Sequence, residues 1–183
     1  MLEKEEGMKY SDMSPRQQKI LLRLSKIPKR ILALHEEVDE VTELVMHELC
    51  GNECFDLDKA AYLIDNPDFD CCKGIAGYNS KECCESSDDI WCRPCDFGKA
   101  CREKKFNKRV RSHASESLGG DLDEKILEVA QELEMHQPGY YSWELKNGNR
   151  GILIFEERGE NTIDDIKEHL EYAFSLLGFC PIS

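Results

Sequence analysis

The segment from Trp91 to Cys101 reads WCRPCDFGKAC, which is a C-x2-C-x5-C run. Further cysteines precede it at Cys50, Cys54, Cys71, Cys72, Cys83 and Cys84. Each free thiol is an oxidation liability, so this density needs a chemical cause. Three thiolates from one short segment and a fourth from upstream form a four-sulfur donor set, which suits zinc or an iron–sulfur cluster. The segment therefore predicts a metal-centred module.

Length and charge narrow the class of protein. A chain of 183 residues suits one domain with appendages or two small domains. Its net charge of -13 argues against general attraction to nucleic acid or to an anionic membrane. The apolar runs are too short to span a bilayer, and the acidic start is not typical of a signal peptide. We therefore expect a cytoplasmic protein without a membrane partner, in which reduced thiols bind metal; a disulfide framework is the alternative.

The cysteine run resembles that of two iron–sulfur families. Cys92-x2-Cys95-x5-Cys101, followed by Arg102-Glu103, is similar to the cluster-binding cysteines of the actinobacterial WhiB-like regulators and of the RecB-type and CRISPR-associated nucleases. The resemblance implies a [4Fe-4S] cluster on Cys92, Cys95 and Cys101. It leaves the fourth ligand open among Cys71, Cys72, Cys83 and Cys84. Neither activity is implied, because the nuclease carboxylate core and the Gly-Val-Trp-Gly-Gly turn of the regulators are missing.

Residues 1–13 are polar and predict a disordered tail, and residues 14–50 predict a heptad helical segment. Its seam consists of Ile20, Leu24, Ile27, Ile31, Leu34, Val38, Val41 and Val45. Ser14-Pro15 is typical of a helix start, and Pro28 predicts a kinked helix or two helices in line. The Ile20–Val45 seam fits a helical protein partner, a homodimer, or a hairpin that packs inside the monomer.

The same helix is expected to continue through His47, Cys50 and Cys54, which share a stripe opposite the seam. These residues are candidate metal ligands, so two metal sites are compatible with the sequence. Residues 55–91 predict loops and one short helix over Leu57–Ile64. We therefore expect residues 47–113 to form a loop-rich cysteine module whose fold depends on its metal.

A basic stripe at residues 99–113 contains seven Lys and Arg residues but only one acidic residue. It is a candidate surface for phosphates, or it pairs with the chain's own acidic helices. The predicted nucleic-acid contacts are Arg102, Lys104, Lys105, Lys108, Arg109 and Arg111.

The final third predicts an α+β element at residues 121–183, after a linker at 114–120. A capping box at Asp121–Glu124 opens a helix, and Asn147-Gly148 joins a hairpin of Tyr140–Leu145 and Ile152–Glu156. A two-residue turn there puts Trp143 opposite Ile152. A closing helix bears Ile163, Ile166, Leu170, Ala173, Phe174 and Leu177. The expected class is α+β, mainly α, with a helix–β-hairpin–helix end.

These features favour a non-enzymatic, metal-binding protein that is redox-responsive and has a regulatory or nucleic-acid-associated role. The expected cofactor is a [4Fe-4S] cluster, with Zn2+ as the alternative. A zinc-stapled protein–protein interaction module is one alternative function, and an electron-transfer or redox subunit is another. The sequence has no phosphate-binding glycine loop or zinc-protease motif. A thiol nucleophile paired with a histidine stays open, because spatial pairing is not visible in a sequence.

Overall fold

A five-stranded antiparallel sheet forms the centre of the protein in the computed structural model, which describes residues 13–34, 39–83, 89–119, 122–159 and 167–180. The helices are α1 (Pro15–Leu24), α2 (Ile27–Leu34), α3 (Val41–Cys50), α4 (Pro94–Arg102), α5 (Lys105–Ser112), α6 (Leu122–Glu132) and α7 (Lys167–Ser175). The strands are β1 (Leu57–Asn66), β2 (Cys71–Asn79), β3 (Ala114–Ser115), β4 (Gly139–Glu144) and β5 (Arg150–Glu157). The strand order is β3-β2-β1-β5-β4. The protein is therefore mixed α and β, with a larger sheet than the single hairpin expected.

The central strand β1 corrects the prediction of a short helix over Leu57–Ile64. This strand pairs with β2 on one side and with β5 on the other. Its run Ala60–Ile64 is buried on both faces, so it lacks the alternation of polar and apolar residues that marks a half-buried strand. The described residues in the middle of the chain are consequently sheet rather than loop, and buried apolar side chains form their core.

Successive residues of β1 serve two hydrophobic cores on opposite faces of the sheet. Tyr62 and Ile64 pack in the core formed with α1, α2, α3 and α7. Ala61 and Leu63 pack in the core formed with α5 and α6. On the second face α5 lies directly on β2, because a Cβ at Gly74 would stand only 1.8 Å from the carbonyl oxygen of Val110. This close approach fixes the position of α5 relative to the sheet.

The described residues of the N-terminal segment form three helices, whereas the sequence predicted a kinked heptad helix or two helices in line. The predicted helix start is confirmed, because Ser14 and Gln17 form a capping box and Pro15 lies in the first turn. The seam turns inward: Ile20, Leu24, Ile27, Ile31, Val41 and Val45 are each at most 2% exposed. Leu34 is partly buried, and Val38 lies outside the described residues. The seam therefore packs inside the monomer, so these positions offer no free face to a helical partner or a second copy.

Residues 114–119 belong to the fold and do not form the expected linker. The short strand β3 pairs with β2, and the backbone N–H of Leu118 donates a hydrogen bond to the buried carboxylate of Asp65. Since β1 also pairs with β5, residues from the predicted 47–113 and 121–183 units share one sheet. The tail at 1–12 and the capping residue Asp121 lie outside the described part of the chain.

The C-terminal hairpin is confirmed, but the predicted register is wrong by one residue. Trp143 faces Gly151 rather than Ile152. The hairpin loop consists of three residues, Lys146–Gly148. The N–H of Leu145 donates a hydrogen bond across this loop to the carbonyl of Asn149. Gly151 leaves room for the indole, since a Cβ there would lie 2.4 Å from the Trp143 ring.

The two C-terminal helices also pack as predicted. Ile126, Val129, Ala130 and Leu133 are buried, as are Leu170, Ala173, Phe174 and Leu177, whereas Ile163 and Ile166 lie outside the described residues. Within the described residues, the helices fall short of the length and apolar character that crossing a bilayer requires.

The inward seam predicts a stability defect rather than an assembly defect. Changing Ile31 to Asp should lower the free energy of unfolding by more than about 3 kcal/mol, because an unpaired carboxylate would enter the core. The matched control is Leu32→Asp, since Leu32 is 79% exposed on the same helix. Urea unfolding and sedimentation measure the two effects. A folded Ile31→Asp protein with reduced assembly size would contradict the inward packing.

Candidate metal centre

The site forms where α3 crosses the end of β2. His47 is one turn beyond Glu43 on α3, so both side chains project from the same side of the helix. After β2 a short 3-10 helix, Ser80–Glu82, is capped by the side chain of Asn79 and brings Cys83 toward α3. The Glu82 carboxylate accepts a hydrogen bond from the N–H of Phe106, which joins this turn to α5.

A direct contact joins the predicted ligands His47 and Cys83. The Nε2 atom of His47 lies 2.8 Å from the Sγ atom of Cys83. The imidazole is held in place by edge contacts with the rings of Phe97 and Tyr78, whose centroids lie 4.8 and 5.9 Å away. Burial lowers the pKa of His47. The ring is therefore neutral at pH 7, which is the form that binds a metal ion or accepts a proton.

A cavity of about 20 Å³ opens beside this pair. Among its lining residues are Glu43, His47, Glu82, Cys83 and Cys101. This volume accommodates one water molecule or one ion. Three of the predicted metal ligands, His47, Cys83 and Cys101, thus come from three separate segments to line one small space.

Glu43 is the functional candidate that the sequence analysis missed. It is 3% exposed, and its Oε1 atom accepts hydrogen bonds from Arg102 at 2.8 Å and Arg111 at 3.2 Å. Its Oε2 atom is buried and has no hydrogen-bond partner among the described residues. Such an atom calls for a water or an ion. The available sequence signal was the spacing of one helical turn between Glu43 and His47.

Other predicted ligands lie outside this cavity. Cys50 and Cys54 are buried nearby, and burial raises the pKa of Cys50 well above its usual range and that of Cys54 to about 12. The proximity of Cys83 contributes to the shift at Cys50. The helix α3 ends at Cys50, so Cys54 follows it and does not continue the predicted stripe.

The predicted C-x2-C-x5-C site is not assembled as a unit. Cys92 and Cys95 are exposed, whereas Cys101 is half-buried at the cavity. Cys71 is exposed at the start of β2, and burial raises the pKa of Cys72 to about 12. Cys84 lies outside the described residues. In the described part of the chain, no three His, Cys, Asp or Glu side chains stand in a metal-binding arrangement. The cavity donors therefore share a space without forming a preset coordination shell.

A larger cleft of about 510 Å³ lies on another side of His47, between α1, α2 and the end of α3. Its floor contains Glu48, which is 8% exposed. Arg23 and Arg30 form ion pairs with this carboxylate, and the indole N–H of Trp91 donates to it at 2.9 Å. The charges at the floor of the cleft are thus largely engaged in holding these helices together.

Several cations of the basic stripe form ion pairs with acidic residues of the same chain. Arg102 and Arg111 pair with Glu43, Arg109 with Glu134, and Lys108 with Glu103. Four of the six predicted nucleic-acid contacts therefore have acidic partners in the same chain. This pairing favours the interpretation in which the stripe neutralises the protein's own carboxylates. Contacts of Lys104 and Lys105 with nucleic acid stay a prediction.

Comparison of the chain with protein-family models, curated proteins and solved structures found no match.

Replacing Arg111 tests the structural role of the stripe. Arg111→Gln should lower the free energy of unfolding by about 2 kcal/mol, because Glu43 stays buried with only Arg102 to neutralise it. Lys105→Gln is the matched control, since Lys105 is an exposed cation on the same helix. Urea unfolding compares the two variants. Equal and small decreases in the free energy of unfolding of the two variants would contradict a structural role for Arg111.

The environment of His47 predicts a pH dependence of stability. Burial makes the folded state disfavour protonated His47, whereas the unfolded chain takes up this proton near the ordinary pKa of 6.5. The free energy of unfolding should therefore fall as the pH drops below about 6.5, before most carboxylates titrate. His47→Gln should lose this component, and His136→Gln, at an exposed position, should keep it. Urea unfolding at several pH values measures the difference, and identical profiles for wild type and His47→Gln would refute it.

Proposed function

We propose that this protein binds a single soft metal ion, with Zn2+ as the best fit, through His47, Cys83 and Cys101. The supporting observation is the common cavity that these three side chains line. Imidazole nitrogen and thiolate sulfur are the donors that zinc prefers in proteins. The unpartnered Oε2 atom of Glu43 beside the same cavity is the proposed fourth donor.

The size and donor set of the cavity favour one ion over an iron–sulfur cluster. A [4Fe-4S] cluster needs space for four irons and four sulfides and usually takes four thiolates. The cavity holds about 20 Å³ and is lined by two cysteines together with a histidine. Zinc accepts such mixed sets, including two cysteines and one histidine. The cluster suggested by the C-x2-C-x5-C run is therefore the second candidate.

Metal binding would need only a small rearrangement at His47 and Cys83. Their N and S atoms are 2.8 Å apart, whereas a tetrahedral zinc ion would hold them about 3.6 Å apart. Side-chain rotation supplies a shift of this size. The ion would replace the contact between the two side chains and take the place of the thiol proton.

The position of the site suggests a regulatory or interaction role rather than catalysis. Its donors join α3, the end of β2 and α4, so an ion there would tie together segments that are distant in sequence. Oxidation of Cys83 or Cys101 would remove a metal ligand and release the ion. The positions of α4 and α5 would then depend on the redox state of these two cysteines.

A thiol nucleophile is a weaker candidate for the same residues. The 2.8 Å contact fits activation of Cys83 by His47. Among the described residues, however, the cavity at Cys83 measures only about 20 Å³, which suits one water-sized group better than a substrate. The larger cleft reaches His47 but does not include Cys83 among its lining residues.

Metal titration tests the proposal. Apo protein should bind one Zn2+ or Co2+ per chain, and the Co2+ form should show thiolate charge-transfer absorption because cysteine sulfur ligates the ion. His47→Gln and Cys83→Ser should weaken binding by about tenfold or more. Metal analysis and visible spectroscopy are the measurements.

Cys71→Ser is the matched control, because Cys71 is an exposed cysteine outside the cavity. It should bind metal as the wild type does. An iron-containing protein with broad visible absorption would favour the cluster instead. Equal metal binding by wild type, His47→Gln and Cys83→Ser would overturn the assignment of the site.

A further inference from the structure

The most exposed part of the cysteine run is the pair Cys92 and Cys95, which the proposed metal centre does not use. Cys92 ends the short 3-10 helix Ile90–Cys92, and Cys95 is the second residue of α4. Both thiols are exposed, and neither lines the cavity at His47. Cys50, Cys54 and Cys180, by contrast, are buried.

We propose that Cys92 and Cys95 form a dithiol that undergoes reversible thiol–disulfide exchange with disulfides in solution or on other proteins. This inference does not depend on the metal centre. Its basis is two solvent-accessible thiols, separated by two residues at the start of a helix, with anchored residues on both sides.

The spacing permits an internal disulfide. Two cysteines separated by two residues can bring their Cα atoms into the range of roughly 4.4–6.8 Å that a disulfide requires. Cys95 is already in the first turn of α4, and only Arg93 and Pro94 separate it from Cys92. Arg93 lies outside α4, with φ of -133° and ψ of 65°, so rotation about its backbone changes the distance between the two sulfurs.

The segment around the pair is anchored on both sides. Before it, the Asp89 side chain caps the 3-10 helix, and Trp91 is fixed by its hydrogen bond to Glu48 and by Arg30 over its ring at 5.2 Å. After it, Phe97 is 8% exposed and anchors α4 against the core. Exchange at the pair can thus proceed while the surrounding fold is maintained.

The proposed reaction balances in two steps. One thiolate of the pair attacks a sulfur of the disulfide, which forms a mixed disulfide and releases one thiolate. The second cysteine attacks the mixed disulfide, forms the Cys92–Cys95 bond and releases the other thiolate. The protein dithiol loses two electrons and two protons, and the substrate disulfide is reduced to two thiols. The reverse exchange with a dithiol or with two thiols restores the reduced pair.

Equilibration of the full-length protein with glutathione and glutathione disulfide tests the inference. Samples are quenched with acid, the free thiols are alkylated, and peptides are mapped by mass spectrometry. In the wild type, the alkylated fractions of Cys92 and Cys95 should fall together, by at least about tenfold, as the buffer becomes more oxidising. The two cysteines should then appear as one internal disulfide. Cys92→Ser should instead leave Cys95 as a mixed disulfide with glutathione.

Cys71→Ser is the control, because it removes another exposed cysteine and should not change the transition at the pair. Zinc content is measured in the same samples and should be unchanged by Cys92→Ser and Cys95→Ser. Independent glutathionylation of both cysteines in the wild type, or full alkylation in every buffer, would overturn the inference. Loss of bound metal in these two variants would also overturn it, since the pair would then be ligands. The wild-type peptide map decides the matter even if a variant fails to fold.

Discussion

Two buried carboxylates on α3 hold four arginines from four other helices, and the rest of the arrangement depends on these ion pairs. Glu43 pairs with Arg102 of α4 and Arg111 of α5. Glu48 pairs with Arg23 of α1 and Arg30 of α2. Burying a carboxylate costs several kcal/mol unless partners offset it, so α3 is stable in this position only with the arginines in place. His47 lies between the two carboxylates, and its position relative to Cys83 and Cys101 follows from this network.

The sequence was sufficient to predict elements whose signals are local. The helix start at Ser14-Pro15, the amphipathic helix α6 and the hairpin at Asn147-Gly148 are all signalled within a few residues. The central strand β1 escaped prediction because burial on both faces removes its polar alternation. The predicted hairpin register was wrong because the loop has three residues, Lys146–Gly148, and because the indole of Trp143 packs against the backbone of Gly151, a contact that turn statistics do not contain.

Three of the four residues proposed as ligands were already candidates in the sequence, but their grouping was not predicted. His47, Cys83 and Cys101 were all candidate ligands, yet the sequence grouped Cys101 with Cys92 and Cys95 because they are close in the chain. In three dimensions α4 turns Cys101 toward α3 and leaves the other two in solvent. Glu43 was missed because its importance comes from a buried oxygen without a partner, and burial of a single atom has no sequence signature. The cysteines in the described part of the chain thus fall into three environments: buried, lining the cavity, and exposed.

The pairing of β1 with β5 also sets the order of events during synthesis. The strand β1 ends at Asn66, but its partner begins only at Arg150. At a translation rate of about 5–20 residues per second, the ribosome needs roughly 4 to 17 s to make the intervening chain. Throughout that interval one edge of an apolar strand is unpaired, and such edges recruit strands from neighbouring chains. We therefore expect nascent chains to depend on chaperones until β5 emerges.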